Sequence, residues 1–586
     1  MPTLDWIGKD KVVNHHLDVP YRVLERVYSY DQTGQHDADN GSENMIIHGD
    51  NLEALKALLP QYEGRVKCIY IDPPYNTATS TNSNRKWVYS DNVDSPIISA
   101  WIGKTVGDEG EDLTRHDKWL CMMYPRLKLL QKLLSDDGVI FISISDVEHA
   151  SLKMICNEIF GMNCFVANVI WENNYSPRND SKGIAYTTDN ILVYSKNPGW
   201  TPQRLARSEI MDARYNAPDN DPVPWTSSPA HAPSARSHKG MVYGIQHPFT
   251  GKIFYPPAGR CWALEQEKIL SNMREWASYK LENLDDSSIR AEICGEDDIA
   301  SMPNIKAIVL DESIETAKEK VINRINQGTW PPFYFTNNGK GGLRVKKHLE
   351  DMGGKVVTTL WAYEDVGTNT EAKNDIKKIF DGNVPFETPK PCRLIERILR
   401  VVGCENMVVL DSFSGSGTTA HSVLSLNSMD GGHRRFILIE MEHYADTITA
   451  ERVKRVIDGY GEGKSAVPGI PGDFSFYELG APLFIGENLN EDVGLDKIRE
   501  YVFFTETRQR IQPSDEPYYL GSHVGNAYYF YYERDRTTTL DRVFLDTIDI
   551  PATHYVIYAD LCTLTEEELN ALNITFKKIP RDITRL

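Results

Sequence analysis

The chain has 586 residues, 41% hydrophobic and 25% charged, the make-up of a soluble globular protein long enough for two or three domains. It carries no run of about eighteen apolar residues and no charged-then-apolar leader, so neither membrane insertion nor secretion is expected. A formal charge of −20 argues against nucleic acid as a partner, yet the acid is gathered after about residue 466, while 197–355 is near balance with basic clusters.

The nine cysteines are scattered without a CxxC pair. That pattern predicts neither a disulfide framework nor a metal cluster and suits a reducing cytoplasm. In chain order, the first forty residues are polar and weakly periodic and read as a peripheral arm. Met45–Asp50 (MIIHGD) reads as a short strand, and Leu52, Leu55, Leu58 and Leu59 recur at helical spacing up to Pro60. Val66–Ile71 is then an apolar run broken only by Lys67, the mark of a strand buried in a parallel sheet. Strand, helix and strand make a βαβ unit.

That last strand stops at Asp72-Pro73-Pro74-Tyr75. Prolines cannot continue it, so the four residues form a turn at the strand's carboxyl end, where open α/β sheets bind ligands. Asp72 is a fixed acceptor there, the Pro73 carbonyl is a second, and Tyr75 is a flat ring. Two acceptors beside a stacking surface suit an exocyclic amino group on a planar base. An ordinary Asp-Pro turn is the plain alternative.

Residues 77–112 are too long for a simple connection and read as a functional lid or a disordered segment. A helix over about 115–134 and strands at 139–145, 165–171 and 190–194 extend the sheet. From about 197 the alternation stops, and Thr226–Gly244 and Asn337–His348 collect basic residues. Helices are expected within 367–380 and from Pro391 on, followed by a strand at 407–411 that runs into Ser412–Ala420 (SFSGSGTTA). Gly415 and Gly417 there allow a tight turn and close backbone approach at a helix N-terminus, and Glu440 ends the next strand, where an acid can take a ribose. Taken alone, Gly415-x-Gly417-x-x-Ala420 also fits a dinucleotide site, which keeps a nicotinamide oxidoreductase in play. After a Gly/Pro linker, about 475–586 reads as a separate α+β tail.

DPPY at 72–75 with FSGSG at 413–417 resembles the amino-methyltransferases of DNA, in the motif order of their β group. IIHGDNLEAL (46–55), IDPPYNT (71–77), DNILVYSK (189–196), FETPKP (386–391), SGSGTTAHSVL (414–424), RRFILIE (434–440) and, in the tail, FYELGAPLF (476–484) are similar to the modification (Mod) subunits of type III restriction–modification systems. The resemblance implies an α/β fold: a Rossmann-like S-adenosyl-L-methionine-dependent methyltransferase sheet with an inserted target-recognition domain and a small α+β C-terminal domain. It implies an arm at 1–40, core halves at 41–196 and 356–462, recognition at 197–355 and a tail domain at 475–586.

The implied activity is methyl transfer to adenine N6 in double-stranded DNA by base flipping. Cytosine-N4 transfer and a recognition subunit without turnover are the alternatives. By the same resemblance, Asp72, Pro73, Pro74 and Tyr75 are catalytic. Asp50, Lys390, Pro391, Asp411, Phe413, Gly415, Gly417, Thr418 and Glu440 bind the cofactor. Arg236, Lys239, Lys340, Arg344, Lys346 and Lys347 are the expected DNA contacts. A homodimer, a helicase–nuclease restriction subunit as partner and a cytoplasmic location complete the expectation; no metal is called for.

Overall fold

The computed structural model describes residues 3–76, 115–176, 183–216, 218–328, 330–339 and 342–581. The connection expected at 77–112 and Lys340 lie outside them. The chain divides into two compact units, one of residues 1–203 and 357–586 and the other of residues 204–356.

The first unit is built on an eleven-stranded sheet. Its strands are β1 (Arg22–Asp31), β2 (Gly34–His36), β3 (Met45–His48), β4 (Val66–Ile71), β5 (Leu134–Ile144), β6 (Phe165–Glu172), β7 (Thr188–Ser195), β8 (Leu360–Trp361), β9 (Val408–Asp411), β10 (Arg435–Glu440) and β11 (Asp473–Pro482). They lie in the order β8-β6-β7-β5-β4-β9-β10-β3-β11-β1-β2. From β3 to β5 through the centre all pairings are parallel, and β7 runs antiparallel to both β5 and β6. Central strands carry buried Val, Ile and Leu on both faces because helices cover both sides.

Among those helices, α1 (Asn51–Tyr62) leaves β3, α2 (Arg115–Leu133) precedes β5 and α3 (Asp146–Phe160) follows it. Beyond β8 come α4 (Asn369–Ile379), α5 (Cys392–Val402), α6 (Thr418–Asp430) between β9 and β10, and α7 (Glu451–Asp458). The expected stop at Pro60 does not occur: α1 continues to Tyr62, since a proline in the last turn forfeits only one backbone bond. Strand β4 proceeds to β5 on one side and β9 to β10 on the other, so β4 and β9, paired at Val409–Cys68 and Leu410–Ile69, flank the point where the winding reverses.

Two boundaries differ from the sequence expectation. The first forty residues are not a peripheral arm, because β1 pairs with β11 from Arg22 to Asp31 and buries Tyr28 and Ser29. The tail does not begin as a separate body either. Strand β11 lies in parallel register with β3, and the consecutive buried residues Phe474, Ser475 and Phe476 seat it there. Only afterwards does a four-stranded sheet form, β12 (Tyr519–His523), β13 (Asn526–Phe530), β14 (His554–Ala559) and β15 (Ile574–Lys578), packed with α8 (Leu495–Thr507).

The second unit, 204–356, has its own apolar core around Trp225, Trp262, Trp276 and Phe333. It contains a four-stranded sheet and a three-stranded sheet of Trp225–Pro229, Leu343–His348 and Phe333–Phe335.

Candidate active site

At the carboxyl edge of the central strands lies a cavity of about 770 Å³. Asp72, Pro73 and Tyr75 enter it from the turn after β4, Ser145 and Asp146 from the end of β5, and Asp189 from the start of β7. Asp411, Phe413, Gly415 and Thr418 reach it from the β9–α6 turn, and Phe386 to Lys390 from the segment before α5. Motifs 339 residues apart in sequence therefore share one wall, because their strands are neighbours at the reversal point.

The turn after β4 is held from outside. The Trp119 indole of α2 donates to the Pro74 carbonyl at 2.7 Å, and the Ser145 hydroxyl donates to the Tyr75 carbonyl at 3.4 Å. Asn76 closes the turn in the left-handed region at φ 57°, where an asparagine is tolerated. Its fully buried amide donates to Glu148 Oε1 at 2.5 Å and to the Arg115 carbonyl at 3.2 Å. Trp119 and Glu148 thus leave the Pro73 carbonyl and the Asp72 carboxylate for the cavity. Neither was legible in the motif: Trp119 sits on the helix expected at about 115–134, and Glu148 on α3, a helix the sequence reading does not anticipate.

Lys390 joins the two motifs. Its ammonium forms an ion pair with Asp72 and stands 5.0 Å from the centre of the Tyr75 ring, while its backbone carbonyl accepts from the Thr418 hydroxyl at 3.2 Å. Asp189 stands on the same wall, accepts from the Asn173 amide at 2.8 Å, and titrates above its ordinary range because it is buried.

The glycine turn is braced beneath. Gly417 caps α6 at φ 76°, and a Cβ there would lie 2.9 Å from the Thr449 carbonyl oxygen. Arg452, itself buried, donates to Ser416 Oγ at 3.0 Å and Thr418 Oγ1 at 2.8 Å. Asp411 accepts from the Phe413 N–H at 3.1 Å and the Thr419 hydroxyl at 2.6 Å.

Four expected cofactor residues stand elsewhere than on the cavity wall, Gly417 at the cap of α6 among them. Glu440 lies under the loop, its oxygens accepting from the Gly415 N–H at 2.8 Å and the Glu442 N–H at 3.1 Å, so it shapes the turn. Asp50 caps α1 through the Leu52 and Glu53 N–H groups at 2.8 and 3.2 Å, with Arg126 3.5 Å away, and does not line the cavity. Pro391 caps α5 behind Lys390.

Burial pushes the Asp411 carboxyl up to about 7 and that of Glu440 up to about 8, against ordinary values of 3.8 and 4.5. Each therefore favours the folded state fully below about pH 4, and that contribution is lost as pH rises through the raised values. Stability of the unliganded chain is expected to fall between pH 5 and 8, by up to about 1.4 kcal/mol per pH unit for each group. Thermal melts across this range check it. Asp411→Asn should flatten the slope below pH 7, and an unchanged slope would remove Asp411 as its source.

Of the expected DNA contacts, Arg236, Lys239, Arg344, Lys346 and Lys347 fall in the second unit. Lys346 is a correction: its side chain is 1% exposed and pairs with Asp219 at 2.8 Å and Asp221 at 2.6 Å, with the Trp225 ring 5.0 Å away. On a strand, successive side chains point to opposite faces, so the neighbouring Lys347 is exposed where Lys346 is buried. Arg344 donates to Ser227 Oγ at 3.0 Å, and Arg236 and Lys239 share Glu296 at 3.3 and 3.2 Å.

A family model described as DNA methylase, for N6 and N4 methyltransferases, matches residues 66–451. The StyLTI Mod subunit of a type III restriction-modification enzyme from Salmonella typhimurium LT2 is 30% identical over 481 residues, 77% of this chain and 62% of that protein. The EcoP15I Mod subunit from Escherichia coli is 27% identical over 491 residues, 75% of this chain and 64% of that protein. The chain thus aligns with less than two thirds of the length of these relatives. The solved PvuII DNA methyltransferase (cytosine-N4-specific) aligns at a TM-score of 0.31 and 11% identity, covering 70% of this chain and 86% of that one, too slight a likeness to decide anything. The family match takes in both the turn at 72–75 and the glycine turn at 413–417, and the chain belongs to the N6/N4 DNA methylase family.

Proposed function

We propose that the chain is a site-specific DNA methyltransferase that methylates adenine N6 in double-stranded DNA, as the Mod subunit of a type III restriction–modification system. The observation that carries this reading is the shared cavity: an acceptor-rich turn with an aromatic ring faces a braced glycine turn across the β4–β9 junction. The type III assignment leans on the Mod subunits' similarity across three quarters of the chain.

The cavity's chemistry fits S-adenosyl-L-methionine, a cation with an amino-acid end. Asp72, Asp189 and Asp411 make its wall acidic, and the start of α6 offers backbone N–H groups beside Gly415, where only a glycine leaves room below Phe386. Phe413, Gly415, Thr418, Asp411 and Lys390 would hold the cofactor, with Gly417, Glu440 and Pro391 shaping their support. When bound, it supplies an activated methyl group on a sulfonium.

The chain's own residues do the rest by position. Asp72 and the Pro73 carbonyl accept the two N–H bonds of the target amine, which turns the nitrogen lone pair out of the purine plane. Tyr75 stacks on the extruded base, returning about 1–3 kcal/mol of the unstacking cost. Such catalysis is orientation and electrostatics, with no covalent enzyme intermediate. Single-molecule sequencing of DNA from cells expressing the chain tests the assignment. N6-methyladenine at one recurring sequence is expected; N4-methylcytosine, or no modified base, would overturn it.

The unit 204–356 is proposed as the target-recognition domain, with Arg236, Lys239, Arg344 and Lys347 among its phosphate and base contacts. A homodimer, a restriction subunit as partner and a cytoplasmic setting belong to the same proposal. Among the described residues no helix is long and apolar enough to cross a membrane. Arg344→Ala with Lys347→Ala should weaken DNA binding and reduce the slope of log K against log salt by about 1–2. An unchanged slope in a salt titration would move the contacts off this strand.

A further inference from the structure

We infer that Lys390 occupies the amine-accepting slot of the turn at 72–75 when no base is present, and must leave it before a target base can be seated. The inference rests on the methyltransferase reading and adds a residue that controls entry to the site. Its ground is a coincidence of positions. The two features assigned to the target base are the Asp72 carboxylate, for the amine, and the Tyr75 ring, for stacking. The Lys390 ammonium takes both, paired with Asp72 and 5.0 Å from the ring centre. An ammonium and an exocyclic amine are both N–H donors, so the carboxylate treats them alike. A base stacked on that ring face would need the space that Nζ now fills.

The lysine is also set up to be displaced by its side chain alone. Pro389 and Pro391 flank it and fix the backbone on both sides, and its carbonyl is tied to Thr418 at 3.2 Å. Its side chain is 10% exposed within the cavity, where Asp189 and Asp411 offer other carboxylates for an ammonium that gives up Asp72. The charge of Lys390 already acts on both of those acids. Within this acidic wall the ammonium and an incoming N–H donor compete for the same carboxylate. The wild-type chain without cofactor should therefore gain little from the target amine. Lys390 acts here as a positioning residue.

Two measurements test this, both without cofactor. In the first, affinities are compared for duplexes bearing adenine or unsubstituted purine at the methylated position found by sequencing. The pairing cost of each base is the same for every variant and cancels between them. Relative to wild type, Lys390→Met should shift the ratio towards adenine by about tenfold, the worth of one hydrogen bond to a charged acceptor. Lys390→Arg, which keeps a cationic donor there, should leave the ratio near the wild-type value. A ratio unmoved by Lys390→Met overturns the inference, as does an equal shift in both variants. The second measurement needs no DNA. In protein labelled with 13Cε-lysine, the signal absent from Lys390→Arg belongs to Lys390, and Asp72→Asn should move it. If that signal does not respond, the slot is not occupied by Lys390, whatever the chain does to DNA. If it responds but no methylated base is found, the lysine's position stands and the methyltransferase reading fails.

Discussion

Asp72→Ala is expected to lower the rate of methyl transfer by about 10²–10³-fold, the usual cost of removing one preorganised electrostatic partner of a transition state. The fold should survive the change. Asp72 stands in a turn beyond β4, and that turn is held by Trp119 on Pro74, Ser145 on Tyr75 and Glu148 on Asn76, none of which touches the lost carboxylate. Cofactor binding should weaken far less than turnover, since Asp72 is one of several carboxylates on the wall and the glycine turn is braced separately by Glu440 and Arg452. The loss should fall on the chemical step, so single-turnover rates at saturating DNA and cofactor are the measurement to make. A mutant that turns over at the wild-type rate would take the turn out of the active site. Asp72→Asn is a useful companion. It keeps the shape and one acceptor oxygen but removes the charge that holds Lys390, so it should retain more activity than alanine.

The parts of this molecule readable from sequence are those fixed by local chemistry. Val66–Ile71 had to be a buried strand because only Lys67, near its start, interrupts the apolar run, and two prolines had to end it at Asp72. The glycine turn was legible for the same reason: Gly417 is at a φ that other residues rarely adopt. What escaped depends on partners far away in the chain. Strand β1 looked like a polar arm because its match, β11, lies some 450 residues on. Glu440 was legible as an acid at a strand end, but which way its oxygens turn is decided by the Gly415 and Glu442 N–H groups. Asp50 likewise reads as a ligand until α1 takes its carboxylate as a cap. Trp119 carries no motif at all. Its role appears only when α2 is laid against the turn and its indole meets the Pro74 carbonyl.

The basic segment of the second unit shows the same limit with the largest consequence for stability. In LRVKKH, charge alone makes Lys346 and Lys347 equivalent, and a sequence reading assigns both to DNA. The strand's alternation separates them. Lys346 points inward to Asp219 and Asp221, which lie 127 and 125 residues earlier in the chain, and the Asp219 side chain is itself wholly buried. Removing the cation leaves two carboxylates in a low-dielectric setting with the Trp225 indole, the Trp330 and Val223 N–H groups and His348 as their remaining partners. Lys346→Ala is therefore expected to destabilise the unit at 204–356 by about 3–5 kcal/mol. Hydrogen exchange should show lost protection in Trp225–Pro229 and Leu343–His348, the strands that Lys346 ties to the aspartates, while the sheet of the first unit keeps its own. Lys347→Ala, on an exposed position of the same strand, should change stability by less than about 0.5 kcal/mol and act on DNA affinity instead. The opposite pattern, a stable Lys346→Ala protein that has lost its DNA affinity, would return Lys346 to the interface and leave the aspartate pair to be held by other means.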